Sequence, residues 1–252
     1  MNSTFATWLY AISSVGLVSL VSFVGVVTLA VSPRRLKQAV FVLVSLAVGA
    51  MFGDAFIHLL PEAFENPRPK AATSMYVLFG IFAFFFLEKF LLWRHQHTFE
   101  SDDRIQPVGY MNLVADGVHN LMDGVLIGAS YLISVQIGIA TTAAVLLHEI
   151  PQEIGDFGVL LHAGFTIRRA LLFNFLSATL AIAGTIAALA IGPGVKGFVT
   201  AVLPLGAGGF IYIAGSDLIP ELHKELTPSK SLLQLVSMTV GVGLMLFLIL
   251  LD

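Results

Sequence analysis

Two short stretches hold most of the side chains in this chain that could do chemistry. Residues 148–156 read HEIPQEIGD, set between the apolar runs ATTAAVLL and FGVLL. Earlier, HNLMDG begins at His119 inside the stretch YMNLVADGVHNLMDGVLIGASYLI. Together they supply imidazoles at His119 and His148, carboxylates at Asp116, Asp123, Glu149, Glu153 and Asp156, and amides at Asn112, Asn120 and Gln152. Imidazole nitrogen and carboxylate oxygen are ligands for Zn2+ and also for Fe2+, Mn2+ or Cd2+. The sequence has no Cys, so thiolate sites and disulfides are excluded. A His in place of Gln152 would complete H-E-x-x-H, the zinc-protease signature. Hydrolysis, a buried polar network and a cation site therefore compete for these residues.

The surroundings of those residues fix the solvent. Of 252 residues, 57% are hydrophobic and 12% charged, with a mean hydropathy of +0.89, too apolar for an ordinary soluble domain. The expected fold class is an all-α polytopic membrane protein, a single transmembrane domain over 1–252. Apolar stretches of about 20 residues, enough for a helix to cross a bilayer, fall near 7–31, 37–60, 72–93, 109–133, 137–162, 170–191, 197–219 and 231–251. The first lacks a basic leader and outruns a signal-peptide core, so it is expected to remain as a span. No basic stripe argues for nucleic acid, and no G-x-x-x-x-G-K-[ST] phosphate loop argues for an ATP-driven pump.

Orientation follows from Lys and Arg in the short loops. Arg34, Arg35, Lys37, Arg94, Arg104, Arg168, Arg169, Lys224 and Lys230 follow the odd-numbered spans, against Arg68, Lys70 and Lys196 on the other side. The odd loops are expected inside and both termini outside. The longest inner loop, 94–108, carries His95 and His97, read as a solvated linker or a weak metal-capturing pair.

Ionisable side chains at bilayer depth cost several kcal/mol each, by about 2.5–3.5 on insertion scales, unless they meet a partner, water or an ion. Ten polar groups on spans four and five need a common explanation. His119 and Asp123 are four apart, as are His148 and Gln152, so each pair projects from one helix face. The linker near 134–136 is short, which makes the two helices antiparallel neighbours whose polar faces can meet around a divalent cation. The run H-N-L-M-D parallels H-E-I-P-Q, and H-L-L-P-E from His58 in span two is echoed by D-L-I-P-E from Asp217 in span seven. Spans one to three and six to eight are then expected to be inverted repeats around a four/five core, an arrangement secondary transporters use. A mid-span Pro151 is expected to free a backbone carbonyl and bend span five at the site.

At HNLMDG, HEIPQEIGDF and GDAFIHLLPEA the chain resembles the ZIP (Zrt/Irt-like) metal-ion transporters, with the LIV-1 subfamily pattern the most similar. The resemblance takes in all eight spans. It implies uptake of zinc or a related divalent cation as substrate, with no resident cofactor and no enzymatic activity. It also implies an elevator-like movement of spans one, four, five and six against two, three, seven and eight, and a homodimer in the plasma membrane or bacterial inner membrane. By motif position the family's metal site falls on His119, Asn120, Asp123, His148, Glu149, Gln152 and Glu153. Asp54, His58, Asp116, Asp156 and His162 are candidates for gate or for contacts on the way in or out. Gln152 departs from the pattern, which has His there. An amide is a weaker ligand, so it implies faster zinc release or a shift toward harder ions. A second, adjacent metal position is in question, because span six offers Asn174 and Ser177 but no carboxylate.

A zincin-type intramembrane protease is the rival from another class. It needs the second His that Gln152 replaces, and proteolysis leaves the repeat of the same chemistry on span four unexplained. A metal-selective channel fits the same residues.

Overall fold

The computed structural model describes residues 3–65, 69–97, 107–224 and 227–249. Most of the 94–108 loop, the side chains of His95 and His97, and those of Asp217 and Glu221 lie outside the described residues. Among the described residues the chain is helical, with no strand. Helices α1 (Ser3–Val21) and α2 (Val24–Ala30) form the first segment. The second runs through α3 (Pro33–Gly53), a π-helical turn (Asp54–Leu59) and α4 (Leu60–Glu65). Three long helices follow: α5 (Lys70–His97), α6 (Pro107–Ile133) and α7 (Val135–His162). Next come α8 (Ile167–Ala178) and α9 (Leu180–Ile191), broken at Thr179. The seventh segment joins α10 (Phe198–Tyr212), a second π-helical turn (Ile213–Leu218) and α11 (Ile219–Leu222), and α12 (Pro228–Ile249) is the last described helix.

Six of these segments are long and apolar enough to cross a membrane: 5–30, 34–65, 70–87, 167–194, 198–216 and 228–248. The other two, α6 and α7, have 27 and 28 residues, about 40 Å at 1.5 Å per residue. They carry the acids and imidazoles. Outside faces are apolar, with Phe79 64% and Phe86 70% exposed, while Asp54, Asp123, Glu149 and Glu153 are buried. Apolar outside and ionisable inside is the reverse of a water-soluble protein. The chain is a multi-pass integral membrane protein.

Both π-turns end two residues before a proline, Pro61 and Pro220. Proline has no N–H to give and its ring collides with the carbonyl four residues back. A widened turn moves that carbonyl aside. Pro151, by contrast, lies within α7, which runs as one α-helix from Val135 to His162. The π-helical turns thus fall in the second and seventh segments, while the fifth keeps an α-helical assignment through Pro151.

Glycines set the closest crossings. A Cβ on Gly49 would stand 2.0 Å from the Met238 carbonyl oxygen, and one on Gly241 2.3 Å from that of Leu46, so α3 and α12 meet backbone to backbone. Gly80 and Gly208 do the same for α5 and α10. On α6, a Cβ at Gly124 would lie 1.9 Å from the Ala181 carbonyl oxygen of α9, and the Thr185 hydroxyl of α9 donates to the Gly124 carbonyl at 2.8 Å. Small residues are the means by which membrane helices approach this closely. Gly124→Ala is expected to push α9 off α6 and destabilise the protein by about 1–3 kcal/mol, read as a lower thermal midpoint in detergent. An unchanged midpoint would mean that the two helices do not touch here.

Candidate metal site

α6 and α7 are joined by the single residue Ser134, whose hydroxyl caps α7 by accepting from the Ile137 N–H at 3.1 Å. So short a link folds them back as antiparallel neighbours and brings the middle of one against the middle of the other. There His119 and His148 face each other, with their Nε2 atoms 3.3 Å apart. Asp123 Oδ2 is 3.1 Å from His148 Nε2 and 3.5 Å from His119 Nε2. Glu149 Oε1 is 3.6 Å from His119 Nε2 and 3.7 Å from His148 Nε2.

These distances have a simple meaning. Four ligands held tetrahedrally at 2.0–2.1 Å from a zinc ion stand about 3.3 Å from one another. His148 Nδ1 is 3.0 Å from the Ala144 carbonyl oxygen, which can only accept, so Nδ1 carries the hydrogen and Nε2 offers its lone pair. The lone pair of His148 therefore points to where His119, Asp123 and Glu149 converge, a group of side chains that could hold a metal ion. Aromatic edges hold the imidazoles from the other helices. Phe84 of α5 is edge-on to His119, with ring centres 6.2 Å apart, and Phe210 of α10 is edge-on to His148 at 5.7 Å.

Glu149 also belongs to a second group, with Asp116 and Glu153, whose ligand oxygens lie within 4.8 Å of one another. Asn120 Nδ2 donates to Asp116 Oδ1 at 2.8 Å, and the Ser177 hydroxyl donates to Asp116 Oδ2. The Asn174 amide donates to Glu153, leaving Oε1 of both Glu149 and Glu153 buried without a hydrogen bond. The sixth segment thus adds no carboxylate, as its sequence indicated. The carboxylates of this group come from α6 and α7 alone, and Asp116, expected at a gate, is one of them. Asn174 and Ser177 stood out as polar residues in an apolar span, but nothing in their spacing said which acids they would bind.

A cavity of about 450 Å3 reaches His119. Asn112, Asp116, Gln152 and Asp156 line it, together with Val40, Leu87 and Leu218 from the helices around. All of these lie toward the end where α5 leaves and α6 begins. On the other side of the imidazoles the helices close up: Ile127, Ala140, Thr141 and Ala144 have no exposed surface. Gln152 lines the cavity beside His119, and Glu149, next in sequence to His148, joins the two imidazoles and Asp123.

Asp54 and His58 lie apart from this cluster in the first π-turn, 3.3 Å from each other. Both are buried, and none of their four side-chain polar atoms has a hydrogen bond. His162 ends α7 and is exposed.

A helical multi-pass membrane protein with an imidazole and carboxylate cluster buried halfway along two of its helices is the class that fold and site define. The family model described as ZIP Zinc transporter matches residues 5–104 and 93–249, and the chain belongs to that family. Zinc transporter SLC39A7 of Homo sapiens is 31% identical over an alignment of 334 positions, covering 96% of this chain and 71% of that protein. Zinc transporter ZIP13 of Pongo abelii is 36% identical over 225 positions, covering 84% of this chain and 66% of that protein. Zinc transporter ZIP13 of Gallus gallus is 31% identical over 275 positions.

Proposed function

We propose that this chain carries divalent cations, zinc first among them, across its membrane by binding them between His119, Asp123, His148 and Glu149. The observation that carries the proposal is the convergence of four lone-pair atoms at 3.1–3.7 Å, the spacing of a tetrahedral zinc shell. The relatives' names, zinc transporter, point to the same cargo. Zinc is substrate here and not a resident cofactor. A cavity at His119, with fully buried residues beyond the imidazoles, supports a carrier over a channel. With the Lys- and Arg-rich loops inside, the side of the cavity is the cytosol, and release is inward.

Alternating access then needs one body to move past another. The glycine crossings group α6 with α9, and separately α3 with α12 and α5 with α10. This supports α1, α2 and α6–α9 as the moving body and the rest as its frame, with all eight segments spanning the bilayer. The paired π-turns before Pro61 and Pro220, and the matching crossings of Gly49 with α12 and Gly208 with α5, support inverted repeats. Asp116, Glu149 and Glu153 form an adjacent second cation position sharing Glu149. Asp54 and His58, buried without hydrogen bonds, serve as contacts on the outer side.

The test is purified protein in proteoliposomes, with radioactive zinc outside and uptake followed against protein-free vesicles. Saturable uptake competed by cadmium is the expected result, and no protein-dependent flux would overturn the proposal. In the same assay Gln152→His is expected to raise the preference for zinc over manganese roughly tenfold, about 1.4 kcal/mol, by adding an imidazole to the cavity wall. An unchanged competition profile would remove Gln152 from selectivity.

A further inference from the structure

Beyond the tetrahedral cluster, the cavity is lined by a repeated pattern that the transport reading does not yet use. On α6 the residues facing it are His119, Asp116 and Asn112, and on the antiparallel α7 they are Gln152 and Asp156 beyond His148. The two helices therefore present successive rungs. The first is His119 opposite His148. The second is Asp116 with Gln152. The third is Asn112 with Asp156, where Asn112 Nδ2 donates to Asp156 Oδ1 at 3.0 Å. At 1.5 Å per residue, the third rung stands about 10–12 Å along the helices from the first and about 6 Å from the second. The second and third rungs have the same donor set, one carboxylate and one amide, with the helices exchanging roles.

Asn112 satisfies one oxygen of Asp156, while Oδ2 is buried and has no hydrogen-bond partner. A bare carboxylate oxygen at the wall of a cavity is an expensive feature unless something charged comes to it. The cavity is large enough to rehydrate a cation, since six waters take up about 180 Å3 at roughly 30 Å3 each. One carboxylate and one amide bind a divalent ion far more weakly than two imidazoles and two carboxylates.

We propose, on top of the transport reading, that Asp156 and Asn112 form a release subsite for a partly hydrated divalent cation. The cation passes from the tetrahedral cluster to Asp116 and Gln152 and then to Asp156 and Asn112, each step about one helical turn. Both rungs offer fewer charged ligands than the cluster, so the ion is drawn off a tight site without having to leave it in a single step.

Zinc uptake by proteoliposomes of wild type, Asp156→Asn and Asp156→Glu tests this. Asp156→Asn keeps the shape and removes the charge. It is expected to lower maximal uptake roughly tenfold, the scale of one lost charged contact, while the half-saturating zinc concentration stays as in wild type. Equilibrium dialysis of detergent-solubilised protein against zinc is expected to show one weakly bound ion fewer and the tight site intact. Asp156→Glu is expected to recover most of the uptake, which a purely structural role for the Asn112 contact would not allow. Wild-type uptake and wild-type zinc stoichiometry in Asp156→Asn would overturn the release subsite and leave the transport reading standing. Absence of uptake in wild type itself would overturn the transport reading.

Discussion

Removing any one of His119, Asp123 or His148 by substitution with Ala is expected to reduce zinc uptake in proteoliposomes by at least about a hundredfold. Loss of groups that merely orient a metal ligand costs about 10–100-fold in affinity or activity, and these three are ligands themselves. The alternative, that the cluster is a polar tie between two helices, makes the opposite prediction. Contacts of that kind average about 0.6 kcal/mol in membrane proteins, so the variants would be mildly less stable and transport normally. Thermal unfolding separates the two. Zinc at a hundred times its dissociation constant stabilises a protein that binds it by about 2.7 kcal/mol, so wild type is expected to melt higher with zinc and the variants are not. Variants that transport normally and still show the zinc shift would sink the site.

Much of this arrangement could be read from the sequence, and the parts that could not have physical reasons. HNLMDG and HEIPQEIGD declared themselves because ionisable residues inside apolar runs are rare, and because spacing of four puts side chains on one helix face. Glu149 is different. Neighbours in sequence point about 100° apart on a helix, so nothing in the spacing says that its carboxylate joins His148 Nε2 at 3.7 Å. That depends on α6 standing in the angle between the two, which is a tertiary fact. The same holds for Gln152, whose spacing puts it on the face of His148 and whose place on the cavity wall beside His119 depends on the packing. Proline marked where helices are under stress, but not how the chain answers. Pro61 and Pro220 are met by π-turns, and Pro151 is accommodated in a continuous helix. The pairing of Asn174 with Glu153 and Ser177 with Asp116 needed α8 laid against α6 and α7, a packing that glycines such as Gly124 permit but do not spell out.

The contrast between the cavity at His119 and the closed packing beyond the imidazoles predicts a difference in chemical access, and the absence of native Cys makes it measurable. A single Cys at Ala115, which lines the cavity, is expected to react readily with a membrane-impermeant thiol reagent from the side on which the cavity opens. A single Cys at Ala140, which has no exposed surface on the far side of the imidazoles, is expected to resist the reagent from both sides in this conformation. The barrier between them is well defined. Tyr131 closes over Gly138, where a Cβ would lie 2.3 Å from the ring, and its hydroxyl is 2.7 Å from the Ser14 hydroxyl of α1. Thr141 donates to the Ser130 hydroxyl at 3.1 Å just beneath. Water and reagent cannot pass such packing without separating the helices. If transport proceeds by alternating access, external zinc that drives the cluster outward is expected to slow labelling at Ala115→Cys and expose Ala140→Cys to the outside. In a channel whose two ends open together, both positions would label at once, and the rates at the two sites would rise and fall in parallel. Measuring the two rates against zinc concentration therefore decides between a carrier and a pore.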